Sequence, residues 1–203
     1  MKTLLSSIII IFFASLNLFS SPFRAYPDDK ELEVVSNLDL KRYQGTWFEI
    51  AHNPWFVEEN CFAMVAFYKL NEEGGIDITN ACRKYGYDGE ISKVEGQGWV
   101  IHQDAPSKLK VQIIWPFTLN YWVIDIGTNY EYAVVGEPDK EKVWILSRQP
   151  FLEQEVHSKI IKNLQNQGYD LSKLIWTPQH PAHSQCFANW IETPEPKTNE
   201  PVC

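Results

Sequence analysis

Between Thr46 and Arg148 the chain alternates apolar and polar residues in short blocks. Each block is rich in Val, Ile, Tyr, Phe and Trp and is bounded by turn residues. This period-two pattern predicts strands near 46–53, 62–70, 75–82, 93–102, 108–115, 121–126, 130–136 and 142–148. The connections are turn-like, as in Asn71-Glu72-Glu73-Gly74-Gly75, Asp104-Ala105-Pro106-Ser107 and Glu137-Pro138-Asp139-Lys140. Short strands in sequence predict an all-β fold, an eight-stranded up-and-down antiparallel barrel, and closure at that size leaves room for one small ligand. Before the first strand, Leu38 to Tyr43 predicts a single helical turn. After the last, Glu153 to Gln167 places Val156, Ile160, Ile161 and Leu164 on one helical face. Pro150 suits the entrance of that helix and Gly168 its stop. One C-terminal α-helix is therefore expected outside the barrel, and 171–177 suggests a short ninth strand. The domain is expected over 38–178, followed by a mobile, Pro-rich tail over 179–203.

Alternation also assigns the faces of the strands. Met64, Ala66 and Tyr68 share one side. Leu109, Val111 and Ile113 alternate with Lys108, Lys110 and Gln112, and Gly96, Gly98 and Val100 oppose Glu95 and Gln97. Trp144 and Leu146 share a face. Segment 121–126 has no clean alternation, and Trp122 and Ile124 are taken as inward. The candidate ligand-binding residues are Ala51, Met64, Ala66, Tyr68, Asn80, Val100, Leu109, Val111, Ile113, Trp122, Ile124 and Trp144. Tyr68 and Asn80 are the candidates for a headgroup or carboxylate.

The 203 residues suffice for one domain, and eight Trp suit a core or cavity lined by large rings. A net charge of −8 argues against a nucleic-acid partner. It also weakens electrostatic docking on an anionic membrane, although peripheral membrane contact stays open. Met1-Lys2 followed by the apolar stretch Leu4 to Phe19 predicts a signal peptide over 1–21, with cleavage after Ser20 or as late as Ala25. A retained membrane anchor is the alternative, but the stretch is short for a spanning helix. Residues 22–37 form an extended lead-in. Cys61, Cys82, Cys186 and Cys203 are an even count in an exported chain, which suggests disulfides. Cys61 and Cys82 bracket two strands and a turn, and their pairing is expected.

No catalytic constellation emerges. His52, His102, His157, His180 and His183 form no recognised metal motif. His180-x-x-His183-x-x-Cys186 offers N and S ligands only if Cys186 is a free thiol. Glu49 and Asp125 are single acids without a visible partner acid. Catalytic residues, metal and cofactor are all expected to be absent, and the chain is not expected to be an enzyme.

Three motifs in order carry a resemblance: Gly45-Thr46-Trp47-Phe48-Glu49-Ile50-Ala51, Thr128-Asn129-Tyr130-Glu131-Tyr132 and Val143-Trp144-Ile145-Leu146-Ser147-Arg148. They resemble the lipocalin family over roughly Leu38 to Gln179. The flanks, Asp39 to Pro54 and Trp144 to Pro150, are most similar to bacterial lipocalins and apolipoprotein D. The resemblance implies a calycin barrel with an internal calyx open at one end. It implies that Trp47 closes the bottom with Arg148 across its ring, that Tyr130 lies near the same end, and that Trp144 lines the pocket. The implied function is binding, storage or transport of a hydrophobic small molecule, such as a fatty acid or lysophospholipid, in the periplasm or outside the cell. The resemblance to apolipoprotein D implies a competing pairing, Cys61 with Cys186. Many bacterial members carry a lipid-modified Cys just after the signal; this chain has no Cys before Cys61, so no such anchor is expected. Prostaglandin D synthase, an enzyme of the wider family, uses a free thiol inside the calyx. The alternative function is therefore a thiol-dependent lipid-converting enzyme, with Cys82 as the candidate.

Overall fold

A computed structural model describes residues 32–193 and 203 of the chain. The expected signal peptide and the lead-in through residue 31 lie outside the described residues. Helix α1 (Leu40–Tyr43) is a single turn, started by Asp39, whose side chain accepts from the Lys41 amide. The strands follow as β1 (Gly45–His52), β2 (Cys61–Leu70), β3 (Ile76–Lys84), β4 (Ile91–Val100), β5 (Lys108–Ile114), β6 (Phe117–Ile126), β7 (Tyr132–Gly136) and β8 (Val143–Ser147). Each pairs antiparallel with its sequence neighbour, and β1 pairs with both β2 and β8, which closes the barrel. A ninth strand, β9 (Ile175–Trp176), adds to β1 through Ala51 and His52.

Two irregularities decide which side chains face the interior. In β1, Glu49 opposes Leu146 but Ala51 opposes Ile145, so one extra residue is accommodated. Such a bulge inverts the alternation beyond it. Glu49 and His52 therefore both point inward, three residues apart, while Ile50 and Ala51 join the outer layer with Ile160 and Leu164. In β6 the register shifts between Val123 and Asp125. Tyr121 and Val123 face in, whereas Trp122 and Ile124 pack in the outer layer. The inward assignments of Ala51, Trp122 and Ile124 are thus corrected, each by a bulge that simple alternation does not anticipate.

Helix α2 (Gln154–Asn166) buries Ile160 and Leu164 against the barrel exterior and ends at Gly168, whose φ of +84° suits glycine. The expectation of a mobile tail is overturned for its first half. Pro181–Glu192 forms a third helix, α3, with Pro at its first turn and Phe187, Ala188 and Ile191 buried. It packs against β2 and β1 and is fastened by a Cys186–Cys203 disulfide. Cys61 and Cys82 are joined to each other, with Cα atoms 5.4 Å apart. The implied Cys61–Cys186 pairing is therefore not formed.

Candidate functional site: a calyx with a buried acidic mouth

The closed end is built around a cation. The Arg148 guanidinium lies 3.6 Å from the centroid of the Trp47 ring. Its NH1 donates to Thr46 O at 2.6 Å, and its NH2 to the carbonyls of Arg42, Tyr43 and Gln44 at 3.0–3.1 Å. Nε donates to Tyr130 O. The last carbonyls of α1 thus receive charge-assisted hydrogen bonds. The Trp47 indole donates to Tyr43 O at 2.8 Å. Tyr130 closes the arrangement, accepting from the Asp39 amide and stacking beneath Arg42. Above this plug the hydroxyls of Tyr43, Tyr121 and Tyr68 form a chain, 2.6 Å and 3.1 Å long in its two links. Burial pushes all three phenols above their ordinary pKa.

A narrow apolar slot opens above Tyr68 and Tyr121, with about 540 Å³ of unfilled space including its mouth. Met64, Ala66, Tyr68, Asn80, Val111, Ile113 and Trp144 line it. Val100 and Leu109 are on the inward side but belong to the packed layer around Trp47, below the slot. Ala51, Trp122 and Ile124 are outside the barrel wall. Sequence reasoning missed several lining residues: Ile78, Leu119, Tyr121 and Leu146 on the strands, and Trp55 and Glu58 from the β1–β2 connection. Ile78 was findable, since it alternates with Asn80. Trp55 and Glu58 follow no period.

The mouth carries an unexpected cluster. A 3-10 turn at Phe56–Glu58 folds Glu58 into the barrel, where it is buried. The Trp144 indole donates to both Glu58 oxygens at 3.1 and 3.2 Å. His52 Nδ1 lies 3.1 Å from Glu58 Oε2 and 2.9 Å from Asn53 O. His52 Nε2 is 3.9 Å from Glu49 Oε1, and the Thr177 hydroxyl donates to that same oxygen at 2.5 Å. Glu49, expected to stand alone, therefore has a partner acid. Burial, and then the charge of Glu58, raise its carboxyl well above the usual range. Burial opposes a charged His52, but the Glu58 hydrogen bond and the two carboxylates outweigh it and lift the imidazole to about 9. One ligand atom from each of Glu49, His52 and Glu58 lies within 4.8 Å of the others, a donor set of the kind that can hold a cation. At the other candidate site, Cys186 is bonded to Cys203, so His180 and His183 have no thiolate beside them. Cys82 is likewise bonded and presents no thiolate nucleophile to the cavity.

The barrel, plug and calyx agree with what known proteins show. Residues 38–179 match the model of a family described as a lipocalin-like domain. The chain is a lipocalin. Among curated proteins this lipocalin is 36% identical over 151 residues to outer membrane lipoprotein Blc of Citrobacter freundii, covering 74% of the chain and 84% of the relative. It is 37% identical to temperature-induced lipocalin-1 of Arabidopsis thaliana, covering 75% and 85%. It is 33% identical to mouse apolipoprotein D, covering 72% and 79%. Among solved structures, insecticyanin from the tobacco hornworm Manduca sexta superposes with a TM-score of 0.60 at 23% identity, over 76% of this lipocalin and 88% of that chain. Apocrustacyanin C2 gives a TM-score of 0.59 at 16% identity, over 71% and 81%. These structural likenesses concern the fold. Lipocalins bind small hydrophobic ligands, and the calyx is where this one has room for a ligand.

Proposed function

We propose that this protein is an exported carrier that holds a single-chain lipid, a fatty acid or lysophospholipid, inside the barrel. The observation that carries the reading is the slot itself: walled by Ile78, Val111, Ile113 and Leu119, floored by tyrosines and open at one end. Its narrowness suits an extended acyl chain. Each methylene buried contributes roughly 0.8 kcal/mol. About ten of them outweigh the ordering cost enough for micromolar binding. Two disulfides support an oxidising compartment outside the cytoplasm. The names of two relatives, an outer membrane lipoprotein and an apolipoprotein, point the same way. Around the mouth, Phe56, Trp115 and Phe117 are each more than 70% exposed, an apolar rim suited to peripheral membrane contact during loading. The test is displacement of a fluorescent fatty acid by lysophospholipid and fatty acid. Saturable binding near one ligand per chain, abolished by filling the slot with Ala66→Trp, is expected. Binding unaffected by that substitution in a folded variant would refute the reading.

A further inference from the structure

The polar groups that the slot offers a ligand at its mouth are one-sided. Glu49 and Glu58 are buried carboxyl groups lining the cavity, and no Lys or Arg is among its lining residues. Lys142 stands in the groove outside the mouth, within reach of Glu137 at 3.6 Å. Asn80 also lines the slot, and its Oδ1 is a buried acceptor with no hydrogen-bond partner among the described residues. Beside these acceptors stand two indoles: Trp55 and Trp144 meet edge to face, with ring centroids 5.6 Å apart and planes inclined by 75°. Two aromatic faces meeting nearly at a right angle, backed by carboxylates, form a corner that attracts a cation and repels an anion.

We infer that the mouth of the calyx is a subsite for an ammonium headgroup, so that the preferred ligand is a single-chain amphiphile with a cationic or zwitterionic amine head. This deepens the lipid-carrier reading and rests on it. The chain runs down the apolar slot toward Tyr68 and Tyr121. The head stays between Trp55, Trp144 and the two acids, where Glu58 is held in place by the Trp144 indole and His52. A carboxylate head at the same position meets Glu49 and Glu58 without a counter-charge in the cavity wall.

The experiment compares amphiphiles of equal chain length on the intact, disulfide-bonded protein, below their micelle concentrations: dodecyltrimethylammonium, monolauroylglycerol and laurate. Calorimetric titration is expected to show the ammonium bound at least about tenfold more tightly than the neutral ester, as one good cation–π and charge contact provides, with laurate weakest. Glu58→Gln is expected to lower the ammonium-to-ester affinity ratio by about that factor, and Glu49→Gln, a second variant of nearly unchanged shape, to lower it as well. Choline without a chain is expected to bind at least a hundredfold more weakly than the amphiphile. Equal affinity for choline alone would overturn the lipid-head assignment in favour of a free amine. If all three amphiphiles bind but laurate or the ester matches the ammonium, or if both Gln variants keep the wild-type ratio, the subsite is refuted and the lipid-carrier reading survives. If none of the three binds, both fail together.

Discussion

The two ends of the barrel solve opposite problems with the same residue types. At the closed end a charge is surrounded by acceptors: Arg148 lies flat on Trp47 and feeds five backbone carbonyls. At the open end the charges are carboxyl groups that face one another, with His52 and the Trp144 indole between or beside them. The first arrangement is electrostatically complete and supports the fold. The second is a compromise in which burial and like charge are offset by a shared proton and one imidazolium. The comparison teaches that a buried charge is structural where its partners are main-chain atoms of several elements, and available for chemistry where its partners are other titratable side chains.

Arg148→Ala should have the largest effect. Hydrogen bonds from a charged donor and the stacked ring together contribute on the order of 3 kcal/mol. Denaturant melts should show that loss, while ligand affinity measured on the folded variant should stay within about threefold. Abolished binding at full stability would erase the distinction between the ends. The open end should instead respond to pH. Glu49 and His52 both have folded-state pKa values raised above their unfolded ones. The native state therefore holds more protons than the unfolded chain between the unfolded and folded values, and stability falls as pH rises through that window. For His52 the window runs from about 6.5 to about 9, and a loss on the order of 2 kcal/mol is expected across it. A flat profile that persists in His52→Gln would place the proton elsewhere. Trp144→Phe leaves Glu58 without its indole donor and should cost about 1–2 kcal/mol. It should also remove much of the change in tryptophan emission on ligand binding. The smallest effect on stability, within about 0.5 kcal/mol, belongs to the exposed pair Trp115→Ser and Phe117→Ser. Their double variant should lose co-sedimentation with neutral lipid vesicles; retained sedimentation would remove the rim from any membrane role.

Most of the barrel was legible because its strands alternate and its turns are polar. The closed end was legible through Gly45-Thr46-Trp47 and Arg148. What misled was phase. A single extra residue near Ile50 turns Ala51 outward and brings His52 in, and the shift at Ile124 does the same to β6. Alternation has no memory of a bulge, so Ala51, Trp122 and Ile124 were placed on the wrong side. Glu58 was invisible for another reason: it lies in a connection, where position is set by tertiary contacts and not by period. Helix α3 was hidden by the prolines around it, although Pro181 at its start and Phe187, Ala188 and Ile191 on one face are the ordinary marks of a helix.

The connection that carries Glu58 is tied down along its length. Asn53 bonds to Val143 and Glu141 at one end, Lys84 donates to the carbonyls of Val57 and Glu59, and Cys61 is covalently joined to Cys82 at the other. It is a fixed jamb and not a swinging door. A headgroup arriving there meets walls whose disorder was already removed when the chain folded, so little ordering entropy is left to oppose capture. Traffic through the mouth is then timed by the wetting and drying of a rigid opening, and a reducing environment, by cutting the Cys61–Cys82 tie, would loosen the one rim on which recognition depends.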